Sequence, residues 1–168
     1  VAFALGGLLV LLPVIGVIAG AVKLEDGGPV LYEQERTAVF GETFTIFKFR
    51  TMTPEGESAT PVADEKNDRI TRVGRLLRQT HLDEIPQLWS ILRGDMSVVG
   101  PRAVWTEEEH ILEDDAEMWR KRWFVKPGLT GLAQINDASS VDPGVKLRYD
   151  LQYVREQSFV YDTKIVAR

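Results

Sequence analysis

The sequence predicts an α+β, mostly helical protein: an apolar N-terminal helix that enters a membrane, a short β-hairpin, and amphipathic helices around a small core. Three observations carry this. Val1 to Val22 holds no charged or strongly polar side chain. Two β-prone runs, Val30 to Gln34 and Thr43 to Phe49, flank a turn near Gly41. Beyond them, apolar residues recur at helical spacing in several charge-rich segments.

The apolar run divides the chain into residues 1–22, inserted in the membrane, and residues 23–168 outside it. At ~1.5 Å per helical residue the run matches a hydrocarbon layer about 30 Å thick. Lys23 follows at once and prefers cytoplasmic headgroups. Pro13, mid-run, lacks a backbone donor and crowds the preceding turn, so a kink is expected. Two readings stand here: a single spanning helix with a tolerated proline, or a re-entrant helix that enters and leaves by one face. Gly27-Gly28-Pro29 then punctuates the exit.

Thr53 to Asn67, with Pro54, Gly56, Ser58 and Pro61, reads as a loop. Asp68 to Gln79 reads as a helix with Ile70, Val73 and Leu77 on one side and Arg72, Arg75 and Arg78 on the other. Thr80 is the expected N-cap of a second helix. Leu82, Ile85, Trp89 and Leu92 form its apolar face, Asp83, Gln87 and Ser90 its polar one, and Gly94 stops it. Thr106 with Glu109 forms a capping box for a third helix, carrying Leu112, Ala116, Trp119 and Trp123 as a stripe. Pro127-Gly128 and Gly131 mark turns, and Val145 to Glu156 is a fourth helix. Such helices beside a membrane anchor suit a domain lying on the bilayer. The pattern alone favours the plainer reading, the core of a domain tethered by one helix.

Composition narrows the chemistry. The chain has 168 residues, no Cys, two His and a net charge of −5. Disulfides, thiolate metal sites and a Cys nucleophile are excluded, and a multi-histidine metal cage and bulk nucleic-acid binding are disfavoured. The chain starts without Met and ends inside an apparent helix, so it reads as a piece of a longer protein. No P-loop, G-x-G-x-x-G or G-x-S-x-G run is present.

Against that background, the arginine ridge suits phosphorylated substrates or anionic headgroups, because guanidinium binds phosphate bidentately. It suits equally a solvated helix face paired with nearby acids. Lys48, Arg50 and Arg102 are further cations able to neutralise a diphosphate. Asp83-Glu84 heads a helix, where the dipole keeps carboxylates ionised. An ionised carboxylate serves as a nucleophile or a Mg²⁺ ligand, or merely decorates the first turn.

Six stretches in order resemble the bacterial sugar transferase family, the monotopic phosphoglycosyl transferases. They are Gly28-Pro29-Val30 with Gln34 and Arg36; Phe44 through Lys48-Phe49-Arg50-Thr51-Met52; Asp68 through Arg75; Leu82-Asp83-Glu84-Ile85-Pro86-Gln87-Leu88; Gly94 through Gly100-Pro101-Arg102; and Lys126-Pro127-Gly128-Leu129-Thr130-Gly131 with Ala133-Gln134. The resemblance implies Asp83 as nucleophile, Glu84 as its acidic partner, and Mg²⁺ on the diphosphate, with both carboxylates as metal ligands. The substrate-binding set over these stretches is Lys48, Arg50, Arg72, Arg75, Gln87, Pro101 and Arg102. It also implies a re-entrant helix broken at Pro13, interfacial helices, and a catalytic domain on the cytoplasmic face of the cell membrane. The implied reaction moves sugar 1-phosphate from a nucleotide-diphosphate sugar, a UDP-sugar in the first instance, onto a polyprenyl phosphate, initiating glycan assembly. A homo-oligomer is left open. Leu12 stands where the family has Ser before the proline, Ala103 where it has Pro, and Gly131-Leu132 where it has Gly-Trp; the last two bear on sugar or nucleotide preference. A membrane-bound Mg²⁺-dependent diphosphate hydrolase and a non-catalytic assembly scaffold are the rival readings.

Overall fold

The computed structural model describes residues 2–53, 69–106, 118–136 and 143–168. Most of the expected loop from Thr53 to Asn67 lies outside them, as do Glu109, Leu112 and Ala116 of the expected third helix. The chain gathers into two compact units, Val1–Glu33 with Phe47–Ser90, and Gln34–Ile46 with Ile91–Arg168.

The first unit opens with α1, Ala2–Asp26, which continues through Pro13. Its segment Ala4–Asp26 is long and apolar enough to cross a membrane. Ala4, Ile18 and Val22 are buried, whereas Leu5, Leu9, Val10, Leu12 and Val17 are exposed. The hairpin is present as expected, with β1 at Leu31–Thr37 and β2 at Thr43–Phe49. Arg50 N donates to the Val30 carbonyl at 2.9 Å, so the chain leaving β2 returns beside the entry to β1.

Helix α2, Arg72–Thr80, starts where its cap allows: the Thr71 side chain accepts from Gly74 N at 2.9 Å. The helix is docked backbone to backbone. Thr71 N donates to Thr51 O at 3.0 Å, and a Cβ on Gly74 would fall 2.1 Å from that oxygen. Leu77 is buried and Leu76 exposed, so the apolar stripe faces inward along the Leu77 side. Burying such a side chain contributes about 1.5–3 kcal/mol.

The sequence expectation fails at Thr80. It is the last residue of α2, its hydroxyl bonded back to Leu76 O at 2.8 Å, and no N-cap. The junction is His81, in the left-handed region at φ 55°, whose N–H closes on Arg78 O and Leu77 O. A 3₁₀ turn, Leu82–Gln87, follows, and only then the short helix α3, Leu88–Arg93. Pro86 explains the split, since it has no N–H to give an α-helical bond.

In the second unit Gly94 ends α3 with φ 88°, as expected. The stretch at Gly128, read as a turn, is instead one of two short parallel strands. β3, Ser97–Val99, pairs with β4, Gly128–Thr130, in the register Ser97↔Gly128 and Val99↔Thr130. The glycines are sterically required: a Cβ on Gly128 would lie 2.1 Å from Gly100 N, and one on Gly131 2.1 Å from Gly100 O. Trp119 and Trp123 sit in a 3₁₀ turn, Trp119–Phe124, rather than continuing an α-helix. Helices α4, Leu132–Ile135, α5, Pro143–Glu156, and α6, Phe159–Val166, complete the unit; α5 is the expected fourth helix. Its core gathers Val99, Val125, Leu132, Tyr153 and Ile165. Within it Arg122 and Asp150, both buried, pair at 2.8 Å, and the Arg122 guanidinium lies 4.2 Å over Trp119.

Candidate active site

The positive-φ turn at His81 delivers Asp83 and Glu84 to the first turn of the 3₁₀ segment, inside the first unit. Asp83 is buried, with 8% exposure, and Glu84 is half-buried. β2 brings Lys48 to them across 36 residues of sequence, its Nζ 2.7 Å from Glu84 Oε1. Helix α2 brings Arg78, whose Nε donates to Thr51 Oγ1 at 2.9 Å.

These charges act on Asp83 together. Burial holds its pKa above the usual carboxylate value and the Glu84 charge pushes the same way, while Lys48 and Arg78 oppose them. Such opposed influences on one carboxylate cluster at reactive sites. The pair of carboxylates, one already engaged by an ammonium, can present an oxygen to an electrophilic phosphorus, and the two cations can receive charge on phosphoryl oxygens.

The sequence-derived set divides as follows. Lys48, Asp83 and Glu84 come together. Gln87 is on the same 3₁₀ turn and is 4% exposed, and its Nε2 has no protein hydrogen-bond partner among the described residues. Ser90 Oγ, 1% exposed, shares that condition. Such buried polar atoms are normally satisfied by ligand or water. Arg72 and Arg75 are exposed on α2, and neither is among the charges acting on Asp83. Arg78 is the ridge member that is. The ridge repeats every three residues, so spacing alone did not separate it from the others.

Arg50 is 2% exposed and points to the end of α1. There it grips both carboxylate oxygens of Asp26, with NH1 to Oδ2 at 2.6 Å, and donates to Pro29 O at 2.5 Å and Met52 O at 3.0 Å. Its acidic partner was unread in the sequence; the signal was an acid directly before Gly27-Gly28-Pro29. Pro101 and Arg102 belong to the second unit, where they line a small cleft with Thr37, Val104, Arg122 and Trp123. The Arg102 carbonyl there accepts from Arg122 NH2 at 2.8 Å.

Among the described residues no group of three or more His, Cys, Asp or Glu side chains could hold a metal ion. Two adjacent carboxylates nevertheless match the donor set that Mg²⁺ takes when substrate phosphates supply its other ligands.

A buried Asp83, a half-buried Glu84 held by Lys48, and Arg78 nearby on α2 make up the candidate site. Comparison with known proteins gives it a family. The model of the bacterial sugar transferase family matches residues 1–168. The chain is 41% identical over 145 residues to the uncharacterized sugar transferase EpsL of Bacillus subtilis (strain 168), covering 86% of this chain and 70% of that protein. It is 36% identical over 182 residues to the exopolysaccharide production protein ExoY of Sinorhizobium fredii, covering 99% and 79%. To the UDP-glucose:undecaprenyl-phosphate glucose-1-phosphate transferase of Xanthomonas campestris pv. campestris it is 38% identical over 166 residues, covering 95% of this chain and 34% of that protein. The chain thus spans about a third of the length of that last relative. It belongs to the bacterial sugar transferase family.

Proposed function

We propose that this chain transfers a sugar 1-phosphate from a nucleotide-diphosphate sugar to a polyprenyl phosphate at the cytoplasmic face of the membrane, by way of a covalent bond to Asp83. The observation that carries the reading is geometric: buried Asp83 adjoins Glu84, which Lys48 Nζ meets at 2.7 Å. Names of the relatives supply the first donor and acceptor to try, UDP-glucose and undecaprenyl phosphate, and exopolysaccharide production as the setting.

In the first step an Asp83 oxygen attacks the phosphorus that bears the sugar. The bond from that phosphorus to the bridging oxygen breaks, and the nucleoside monophosphate leaves with the electron pair. In the second step an oxygen of the lipid phosphate attacks the same phosphorus. The Asp83–phosphorus bond breaks, the carboxylate is restored, and the product is a lipid diphosphate sugar. Lys48 holds Glu84 and offsets its charge beside Asp83, and the buried amide of Gln87 is available to a substrate oxygen. Asp83 and Glu84 would hold Mg²⁺, which would supply charge neutralisation on the diphosphate. Splitting the transfer into two displacements lets one small site serve a soluble donor and a lipid acceptor in turn.

The re-entrant reading of α1 is supported by contacts at its two ends with the same unit. A Cβ on Gly7 would lie 3.4 Å from Leu88 Cδ1, and Glu25 reaches the backbone N–H groups of Arg72 and Val73.

The test is incubation of the solubilised protein with labelled UDP-glucose and no lipid. A phosphosugar adduct on the wild-type chain that is lost in Asp83→Asn is expected. An adduct that survives the substitution sinks the mechanism, and sugar phosphate released steadily without acceptor points instead to a hydrolase.

A further inference from the structure

Two consecutive acids end α1, and each is used differently. The Glu25 carboxylate accepts the N–H groups of Arg72 at 2.7 Å and Val73 at 3.2 Å, which open α2 and have no partner within the helix. The Asp26 carboxylate takes both guanidinium nitrogens of Arg50 and also accepts Gly28 N at 3.0 Å. Lys23 closes the same turn from the other side, its Nζ 2.6 Å from Gly27 O.

These two attachments reach the two segments that carry the reacting groups. α2 runs from its Glu25-held start through nine residues to Thr80, and Asp83 follows three residues later. Arg50 lies two residues beyond Lys48, just past the end of β2. The last turn of α1 is therefore the common origin from which both Asp83 and Lys48 are suspended.

We infer that Glu25 and Asp26 form a positioning clamp that sets the height of the Asp83–Lys48 centre over the lipid into which α1 inserts, and so governs transfer to the membrane-borne acceptor. The inference rests on the function proposed above. Its consequence is asymmetric. A water-soluble donor reaches Asp83 at whatever height it stands, whereas the phosphate of a polyprenyl carrier is confined to the headgroup layer. Misplacement of reacting groups by ~1 Å is enough to cost about 100-fold in rate.

The experiment uses the full chain in nanodiscs containing anionic lipid, as wild type, Glu25→Gln, Asp26→Asn and the double variant. Three quantities are read: the single-turnover rate of adduct formation from UDP-glucose, the rate at which the adduct is discharged by undecaprenyl phosphate, and its discharge by a short, water-soluble prenyl phosphate. The sequence has no Cys, so Gln79→Cys on exposed α2 supplies a single labelling site. A fluorophore there, quenched by lipids brominated at stated depths, reports height independently of activity. Expected are adduct formation within about twofold of wild type, discharge by the long lipid down about tenfold or more, discharge by the soluble acceptor retained, and an altered depth of the label. Asp26→Glu should recover most of the loss. Equal losses in all three rates, or an unaltered depth, overturn the clamp. If Asp26→Asn does not fold, Glu25→Ala decides alone, because it removes the acceptor that the N–H groups of Arg72 and Val73 use. If the wild-type chain forms no adduct, the proposed function fails, and the depth measurement still decides for or against the clamp.

Discussion

Lys48→Met removes the ammonium from the acidic pair while keeping most of the aliphatic stem. The Lys48–Glu84 contact is 2.7 Å long, with side chains 17% and 14% exposed, so it is charge-assisted and largely withdrawn from water. A hydrogen bond to a charged group is worth about 1.5–3 kcal/mol. Without it Glu84 loses the ammonium charge beside Asp83; two carboxylates at ~6 Å repel by roughly 3 kcal/mol at an effective dielectric of about 20. Taking about 2–3 kcal/mol as the net effect on the first displacement, kcat/KM should fall roughly 30- to 150-fold. The pH profile carries a second signature. Asp83 reacts as the anion, and burial already holds its pKa above 3.8 while Lys48 pulls it down. Loss of Lys48 raises it further, so activity disappears on acidification at a higher pH than in the wild type. The assay is the pre-steady-state burst of nucleoside monophosphate followed from neutral pH down through the acid limb, with Lys48→Arg as the charge-retaining control. A variant within about threefold of wild type, with its acid limb unmoved, would refute the electrostatic account of the site.

Three further outcomes follow from the packing. Asp83→Asn should abolish the adduct yet raise the Tm, by about 2 °C or more. A carboxylate whose pKa is raised by burial favours the folded state only when protonated, so its contribution to stability is lost as pH rises through the folded pKa. Calorimetry of the two proteins near neutral pH checks the sign. Asp150→Asn should cost about 3–5 kcal/mol by removing the carboxylate charge paired with buried Arg122. Tryptophan-fluorescence melting should show a Tm lower by roughly 10 °C, with much of it regained in Arg122→Met/Asp150→Leu. Gly74→Ala would set a methyl 2.1 Å from Thr51 O, against backbone that cannot yield. α2 must lift off residue 51, at about 1–3 kcal/mol, and urea unfolding should register the loss.

Much of the molecule was legible because the deciding patterns are local. An apolar run writes a membrane-competent helix, alternating Thr and Phe flanking a Gly turn write a hairpin, and period-3.6 spacing writes Val145–Glu156. Asp83 and Glu84 stood out through their place in one of six ordered stretches. Thr80 misled because a threonine between two helical patterns looks like a cap, whereas the bend is made by His81 in a conformation that His rarely adopts. β3 and β4 were missed for another reason: each strand is three residues long and pairs with a partner some thirty residues away, so neither has a pattern of its own.

By itself, the sequence determined the apolar helix, the hairpin and the longer amphipathic helices, and it put Lys48, Asp83 and Glu84 forward as candidate site residues. The tertiary structure alone decided the partners of those side chains. It sent Arg50 to Asp26 rather than to Asp83, chose Arg78 from a ridge of similar arginines, and joined Lys48 to Glu84. The physical reason is range. Helical and strand patterning acts over a few residues, but an ion pair forms between whatever groups the packed backbone brings within about 4 Å, and backbone docking such as Gly74 against Thr51 fixes that arrangement.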